Sequence, residues 1–136
     1  GRLAYPYGMV QKQTEAKQFF FIVLKNSKKI GQVRVDRHAI SINLDSRYRH
    51  QGLGSRIISK ASRLYLKQNP HQALIALIDP SNHPSIRAFE KARYTFHRAV
   101  YLKREDGSRK KALKYVYVPT QTQGLRTGQF KKLVPV

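Results

Sequence analysis

The 136-residue chain carries 27 Lys and Arg against seven Asp and Glu, a formal net charge of +20, and no cysteine. Its length suits one domain with its own core, and the absence of cysteine excludes a disulfide scaffold, thiolate zinc sites and a cysteine nucleophile. The charge favours polyanionic ligands without specifying a fold. The longest apolar run, 19–24, is too short to cross a bilayer and the amino end has no secretory signal pattern, so a cytoplasmic protein without membrane contact is expected.

Along the chain, Tyr5-Pro6-Tyr7-Gly8 reads as a turn and 11–18 as a weak helix. The aromatic and aliphatic run 19–24, closed by Lys25-Asn26-Ser27-Lys28-Lys29, predicts a buried strand and a hairpin turn. A second strand over 30–36 turns at Arg37-His38 into a third over 39–45, where Ile40, Ile42 and Leu44 alternate with Ser41, Asn43 and Asp45. The period then changes. Leu53, Ile57, Ile58, Ala61, Leu64 and Tyr65 recur at three and four, which predicts a helix to about Gln68.

Residues 73–78 are apolar at every position, so a strand covered on both faces is expected, parallel to 39–45 through a right-handed crossover. Asp79-Pro80-Ser81-Asn82-His83-Pro84 offers capping groups for a helix from Pro84 to about Arg93 that buries Ile86 and Phe89. A hairpin of 94–103 and 112–118 closes a single domain over 1–118, and 119–136 reads as an extended arm or partly disordered tail.

The stretch Arg49-His50-Gln51-Gly52-Leu53-Gly54-Ser55 joins the third strand to the first helix. The first N–H groups of a helix have no partner within it, and the macrodipole makes that end partly positive, so it attracts phosphate. Gly52 and Gly54 remove side chains that would hold a diphosphate off the backbone, and Arg49, Arg56 and Lys60 add charge nearby. The competing phosphate motifs, a Walker loop or a dinucleotide fingerprint, lack their required residues here.

Arg-x-x-Gly-x-Gly at Arg49, Gly52 and Gly54 resembles the acetyl-CoA diphosphate loop of the GNAT acetyltransferase superfamily. The segment 82–94 (Asn82, Ser85, Phe89, Lys91, Tyr94) resembles the family's Asn-x-x-Ser/Ala-x-x-x-Tyr/Phe-x-Lys-x-Gly-Phe. The resemblance spans roughly 19–118. It implies an α+β (α/β) fold, a mixed central sheet with helices on both faces. It also implies that much of the usual N-terminal strand and helix pair is missing, since only 18 residues precede Phe19.

The implied cosubstrate is acetyl-CoA, with no metal, and the implied reaction is direct attack of an amine on the acetyl carbonyl. Loop residues Arg49, His50, Gln51, Gly52, Leu53, Gly54 and Ser55 would hold the diphosphate; Asn43 and Leu44 would lie beside the thioester; Asn82, Ser85, Phe89 and Arg93 would complete the coenzyme site. Asp45 is the chosen base from a set that includes Asp36, His38 and His50. Asn82 and Ser85 would face the thiol. Phe89 stands where the family often has a proton-donating tyrosine, leaving water, Ser85 or Tyr94 for that step. Arg93 stands where the family has glycine, either reaching coenzyme phosphate or serving as a charged helix end.

Gln32, Arg34 and Asp36 project from one face of their strand and are candidates for the acceptor side. The chain looks closest to acetyltransferases of surface-sugar biosynthesis that act on UDP-linked 4-amino sugars in pseudaminic acid pathways, so a small anionic amine is the expected acceptor. The alternatives are a protein amine, coenzyme binding without catalysis, or a basic nucleic-acid-binding module. A homodimer completed by 119–136 is a further expectation.

Overall fold

The computed structural model describes residues 6–13, 18–49, 52–119 and 134–136, without the side chains of Gln13 and Val134. In chain order the elements are β1 (Tyr7–Gln13), β2 (Gln18–Lys25), β3 (Lys28–Asp36), β4 (Ala39–Leu44), a 3-10 turn (Ser46–Tyr48), α1 (Leu53–Gln68), β5 (Ile75–Ile78), α2 (His83–Lys91), β6 (Tyr94–Lys103), β7 (Arg109–Tyr117) and β8 (Val134–Pro135). The strands form one mixed sheet in the order β6-β7-β5-β4-β3-β2-β1-β8. Every neighbouring pair is antiparallel except β4 and β5.

Local chemistry sets the connections. Asn26 and Ser27 both take positive φ, 49° and 70°, giving the two-residue turn whose twist matches the strands it joins. Arg37, at φ 60°, opens the equally short turn between β3 and β4. A parallel neighbour for β4 needs a crossover, and α1 supplies it.

Alternation sorts the sheet into two unlike faces. On one, Met9, Phe21, Val23, Val33, Val35, Ile40, Ala76, Ile78, Tyr115 and Tyr117 are buried. Both helices pack there. Phe19 meets Tyr65 of α1 edge to face at 5.1 Å, Phe89 of α2 meets Tyr94 at 5.0 Å, and Ser62 Oγ lies 2.7 Å from Tyr94 Oη, tying α1 to β6. The opposite face, with Phe20, Ile22, Gln32, Arg34, Ser41, Asn43 and Leu77, is half-buried or exposed.

Two expectations change, and the carboxyl end takes a defined place. Among the described residues both helices share one face of the sheet rather than covering both, because two successive crossovers in the same direction bring them to the same side. Expected as a turn and a weak helix, 7–13 is strand β1, paired with β2 along its length; only 14–17 separate the two strands. Finally, Val134–Pro135 adds an edge strand to β1, and Arg56 Nη2 donates to the carbonyl oxygen of Val136 at 2.9 Å. That bond turns Arg56 toward the sheet edge. Residues 120–133 lie outside the described residues.

Candidate active site

Among the described residues, β4 and β5 share a single registered pair, Ala39 with Ile75. Past it the strands separate. His38 O accepts from Ile75 N at 2.8 Å, and Asp45 N donates to Ile30 O on the other side at 2.8 Å. By alternation, the backbone groups of Ile42 and Leu44 therefore turn toward the gap rather than toward β3.

Gly52, at φ 74°, caps α1 at the mouth of this gap, and as a glycine it lays no side chain over the first N–H groups of the helix. Only glycine takes that conformation without strain. At Gly54 a Cβ would meet nothing closer than the Ala88 Cβ at 3.9 Å, so packing does not demand glycine there; its effect is to leave the helix end bare.

The gap widens into a cavity of about 510 Å³. Ile42, Asn43 and Leu44 form one wall, Arg49, Gly52, Gly54, Ser55 and Ile58 the floor, and α2 with its cap the other wall through Asn82, Pro84, Ser85, Arg87, Ala88 and Lys91. Asn82 accepts the Ser85 N–H on Oδ1 at 3.2 Å, which uses its oxygen for the helix cap and leaves its NH2 for a ligand. Arg49, Arg87 and Lys91 bring three cations to the lining, which among the described residues contains no carboxylate or imidazole. An anion at the α1 end, continued by an extended chain along Ile42 and Leu44, fits this arrangement.

The cavity gathers eight of the residues expected at the coenzyme: Asn43, Leu44, Arg49, Gly52, Gly54, Ser55, Asn82 and Ser85. Among the described residues it does not gather Leu53, Phe89 or Arg93. Leu53 and Phe89 are buried in the core, because the helix positions that carry them face the sheet. Arg93 follows the far end of α2 at φ 73°, its N–H donating to Glu90 O at 3.1 Å. Tyr94 is held by Ser62, and burial raises its phenol well above the usual value, so it is no donor to the cavity. His50 and Gln51 lie outside the described residues.

Asp45 takes a structural job. Its carboxylate caps the 3-10 turn, accepting from Arg47 N at 3.1 Å and pairing with Arg47 Nη2 at 3.1 Å. The Arg47 side chain, then its backbone N–H, hold the carboxyl below its ordinary value, which makes it a poor base. Gln32, Arg34 and Asp36 do lie on the open face, but not as one group. Gln32 is registered with Asn43 and accepts from Lys29 Nζ at 3.3 Å. Arg34 and Asp36 line a second opening, of about 1030 Å³, at the other end of the sheet with His38 and Tyr65. Asp36 is registered with Ala39, five residues from Leu44 along β4 and so roughly 17 Å away. Neither it nor His38 reaches the first cavity.

Arg87 and Lys91 were missed from the sequence. With Pro84 and Ala88 they recur at three and four, a second stripe of α2 opposite Ile86 and Phe89. Writing the helix as a wheel from Asn82 would have shown it.

The fold is shared with solved acetyltransferases. It matches a ribosomal-protein-serine acetyltransferase of Vibrio cholerae at TM-score 0.67 and 16% identity over 77% of this chain and 66% of that one. A ribosomal-protein-S5-alanine acetyltransferase of Vibrio fischeri matches at 0.64 and 18% over 78% and 64%. An aminoglycoside acetyltransferase, AAC(6')-Ib, solved with coenzyme A and kanamycin, matches at 0.63 and 19% over 75% and 67%. The chain thus spans about two thirds of the length of these structures. No curated protein matches its sequence significantly. The model of the acetyltransferase (GNAT) family matches residues 3–94, more than half of the chain, across β1, the splayed strands, the glycine turn and α2. The chain belongs to the GNAT acetyltransferase family.

Proposed function

We propose that this chain binds acetyl-CoA between β4, α1 and α2 and transfers its acetyl group to an amine arriving from the sheet face opposite the helices. The observation that carries the reading is the coincidence of a bare helix end with the gap between β4 and β5. The diphosphate lies over Gly52, Gly54 and Ser55 with Arg49, Arg87 and Lys91 alongside, and the pantetheine arm pairs with the backbone of Ile42 and Leu44. The thioester then sits near Asn43, Asn82 and Ser85. Structures of similar fold that contain coenzyme A or acetyl-CoA support this reading.

In the transfer, the amine nitrogen attacks the thioester carbonyl, a C–N bond forms and the C–S bond breaks. The amine proton goes to water, and the thiolate takes a proton from water or Ser85. A thiolate is a good leaving group, so the step does not depend on a strong acid. The acceptor is a small anionic amine, of which a UDP-amino sugar is one form. Lys114 on the open face beside β5 and the net charge of +20 support an anion there.

Thermal unfolding with and without acetyl-CoA tests the coenzyme site, since a ligand of the folded state adds about 2.7 kcal/mol of stability at one hundred times its Kd and so raises the midpoint. Gly54→Glu is the informative variant, because Gly52 needs its positive φ. Replacing a helical glycine, with a carboxylate in the first turn, leaves the unliganded protein as stable as wild type or more so. The same carboxylate repels the diphosphate, so the acetyl-CoA shift disappears. No shift in the wild type at saturating acetyl-CoA refutes the assignment. For the acceptor, a higher kcat/KM with cationic kanamycin than with a UDP-amino sugar refutes the anionic class.

A further inference from the structure

The β6–β7 hairpin outruns the sheet that carries it. β5 registers with Leu113–Val116 of β7, so Arg109–Ala112 and the facing Val100–Lys103 project past it as a two-stranded ribbon. Residues 101–111 are all exposed. The register places Lys103 opposite Arg109 and Tyr101 opposite Lys111, with all four side chains on one face. On the other face Arg98 stands opposite Lys114.

Like charges directly opposite one another across a strand pair are destabilising, and the β6–β7 hairpin contains two such pairs, Lys103–Arg109 in the ribbon and Arg98–Lys114 within the sheet. Little acid relieves them. The ion pairs among the described residues are Arg47–Asp45 and Lys110–Asp79, and the second occupies Lys110 on the opposite face from Lys103, Arg109 and Lys111. In the turn, Asp106 is engaged by Ser108, whose N and Oγ donate to it at 2.9 and 2.6 Å. Amid these three cations, which have no ion pair among the described residues, stands Tyr101, 62% exposed.

We propose that this face of the β6–β7 ribbon binds single-stranded nucleic acid, with Lys103, Arg109 and Lys111 on successive phosphates and Tyr101 stacked on a base. A strand supplies both missing partners at once, a line of negative charge and an aromatic face. An acidic peptide supplies only the first. The inference is independent of acetyl transfer and places the strand outside the coenzyme cavity.

Fluorescence anisotropy with a fluorescein-labelled 20-nucleotide single strand, as RNA and as DNA, and with the DNA annealed to its complement, tests it between 50 and 200 mM KCl on the full chain. Both single strands should bind, and a preference for one identifies the natural sugar. The triple variant Lys103→Gln/Arg109→Gln/Lys111→Gln should lose at least tenfold in affinity at 100 mM KCl. Its log–log salt slope should fall by about 2, as expected for three phosphate contacts. Removing a like-charge pair should leave its thermal midpoint equal to or above that of wild type, so the loss is not misfolding. Tyr101→Ala should lose at least fivefold with the slope unchanged. A second triple, Lys28→Gln/Lys29→Gln/Arg37→Gln, removes the same charge elsewhere and should lose less than threefold.

Four results overturn the proposal. They are no binding of either strand at 50 mM KCl, equal losses in the two triples, duplex bound as tightly as single strand with Tyr101→Ala neutral, or displacement of the strand by acetyl-CoA.

Discussion

Arg49 Nε donates to the carbonyl oxygen of Leu44 at 2.9 Å, so the first residue of the glycine loop is tied to the last residue of β4. The guanidinium is therefore a brace as well as a charge. Arg49→Ala removes both and should raise the KM for acetyl-CoA roughly five- to tenfold, the scale of one partly exposed charge-assisted hydrogen bond. Arg49→Lys keeps the charge but not the planar fork. Initial rates at varied acetyl-CoA separate the roles: a lysine variant as impaired as the alanine one identifies the brace, and full rescue identifies charge alone.

Gly31 lies against the same corner. A Cβ there would sit 2.6 Å from Asn43 O and 3.0 Å from Leu44 Cδ1, and backbone cannot swing aside as a side-chain tip can. Gly31→Ala should cost about 1–3 kcal/mol in denaturant unfolding, the usual range for overpacking. It should also weaken acetyl-CoA binding, because Asn43 and Leu44 line the cavity. A variant unchanged in both assays would show that β3 and β4 accommodate the methyl freely.

Arg93 holds φ 73° just past α2, a conformation costing a non-glycine residue about 1–2 kcal/mol. Part of that cost returns on substitution, since glycine leaves the unfolded chain more entropy to lose. Arg93→Gly should therefore stabilise by about 0.5–1 kcal/mol, a rise of about 2–5 °C in midpoint for a chain this size. Because Arg93 is not among the residues that line the cavity, the KM for acetyl-CoA should not move. A raised KM would put its guanidinium on the coenzyme.

Two exposed carboxylates contribute to the acid limit of the fold. Ser81, through its hydroxyl and then its backbone N–H, and Lys110 lower Asp79 to about 2, and Arg47 lowers Asp45. Folded values below the unfolded value of about 4 mean that the unfolded chain binds more protons in that window. The stabilisation is complete above about pH 4 and is lost as pH falls toward 2; Asp79→Asn should flatten the fall in an acid titration followed by circular dichroism. Activity should instead follow the acceptor amine, kcat/KM rising with pH up to the amine's own pKa. Asp45→Asn should change it less than threefold. A larger loss with a new acid limb would restore Asp45 as the base.

Most of this architecture was legible because its signals are local. Ile40, Ile42 and Leu44 showed one buried strand face, Gly52 and Gly54 marked the turn, and Asn82 with Pro84 marked the start of α2. The failures have physical causes. β1 was unreadable because few of its side chains face the core: Met9 is buried, while the polar Gln11 and Lys12 break the pattern of a strand near the sheet edge, between β2 and the short β8. Residues 73–78 looked buried on both faces, yet Leu77 is 39% exposed, since nothing in an apolar run says which face the helices will cover. The roles given to Phe89 and Arg93 followed a resemblance in spacing, and Asp45 was chosen from the few possible bases as the one at the strand end. A motif fixes which residues are near one another in the chain; core packing, a positive φ and an adjacent Arg47 decided where those three side chains are employed.

The single pairing of Ala39 with Ile75 has a dynamic consequence. Two rigid plates, one of β8, β1, β2, β3 and β4 and the other of β5, β7 and β6, are riveted at one point and bridged by α1. Such a molecule should breathe along the seam, with the amides of Ile42, Leu44 and Leu77 exchanging with deuterium ahead of those in the middle of either plate. A ligand that pairs along the seam becomes a ninth strand. It would slow exchange in both plates together, so that filling the site also finishes the fold.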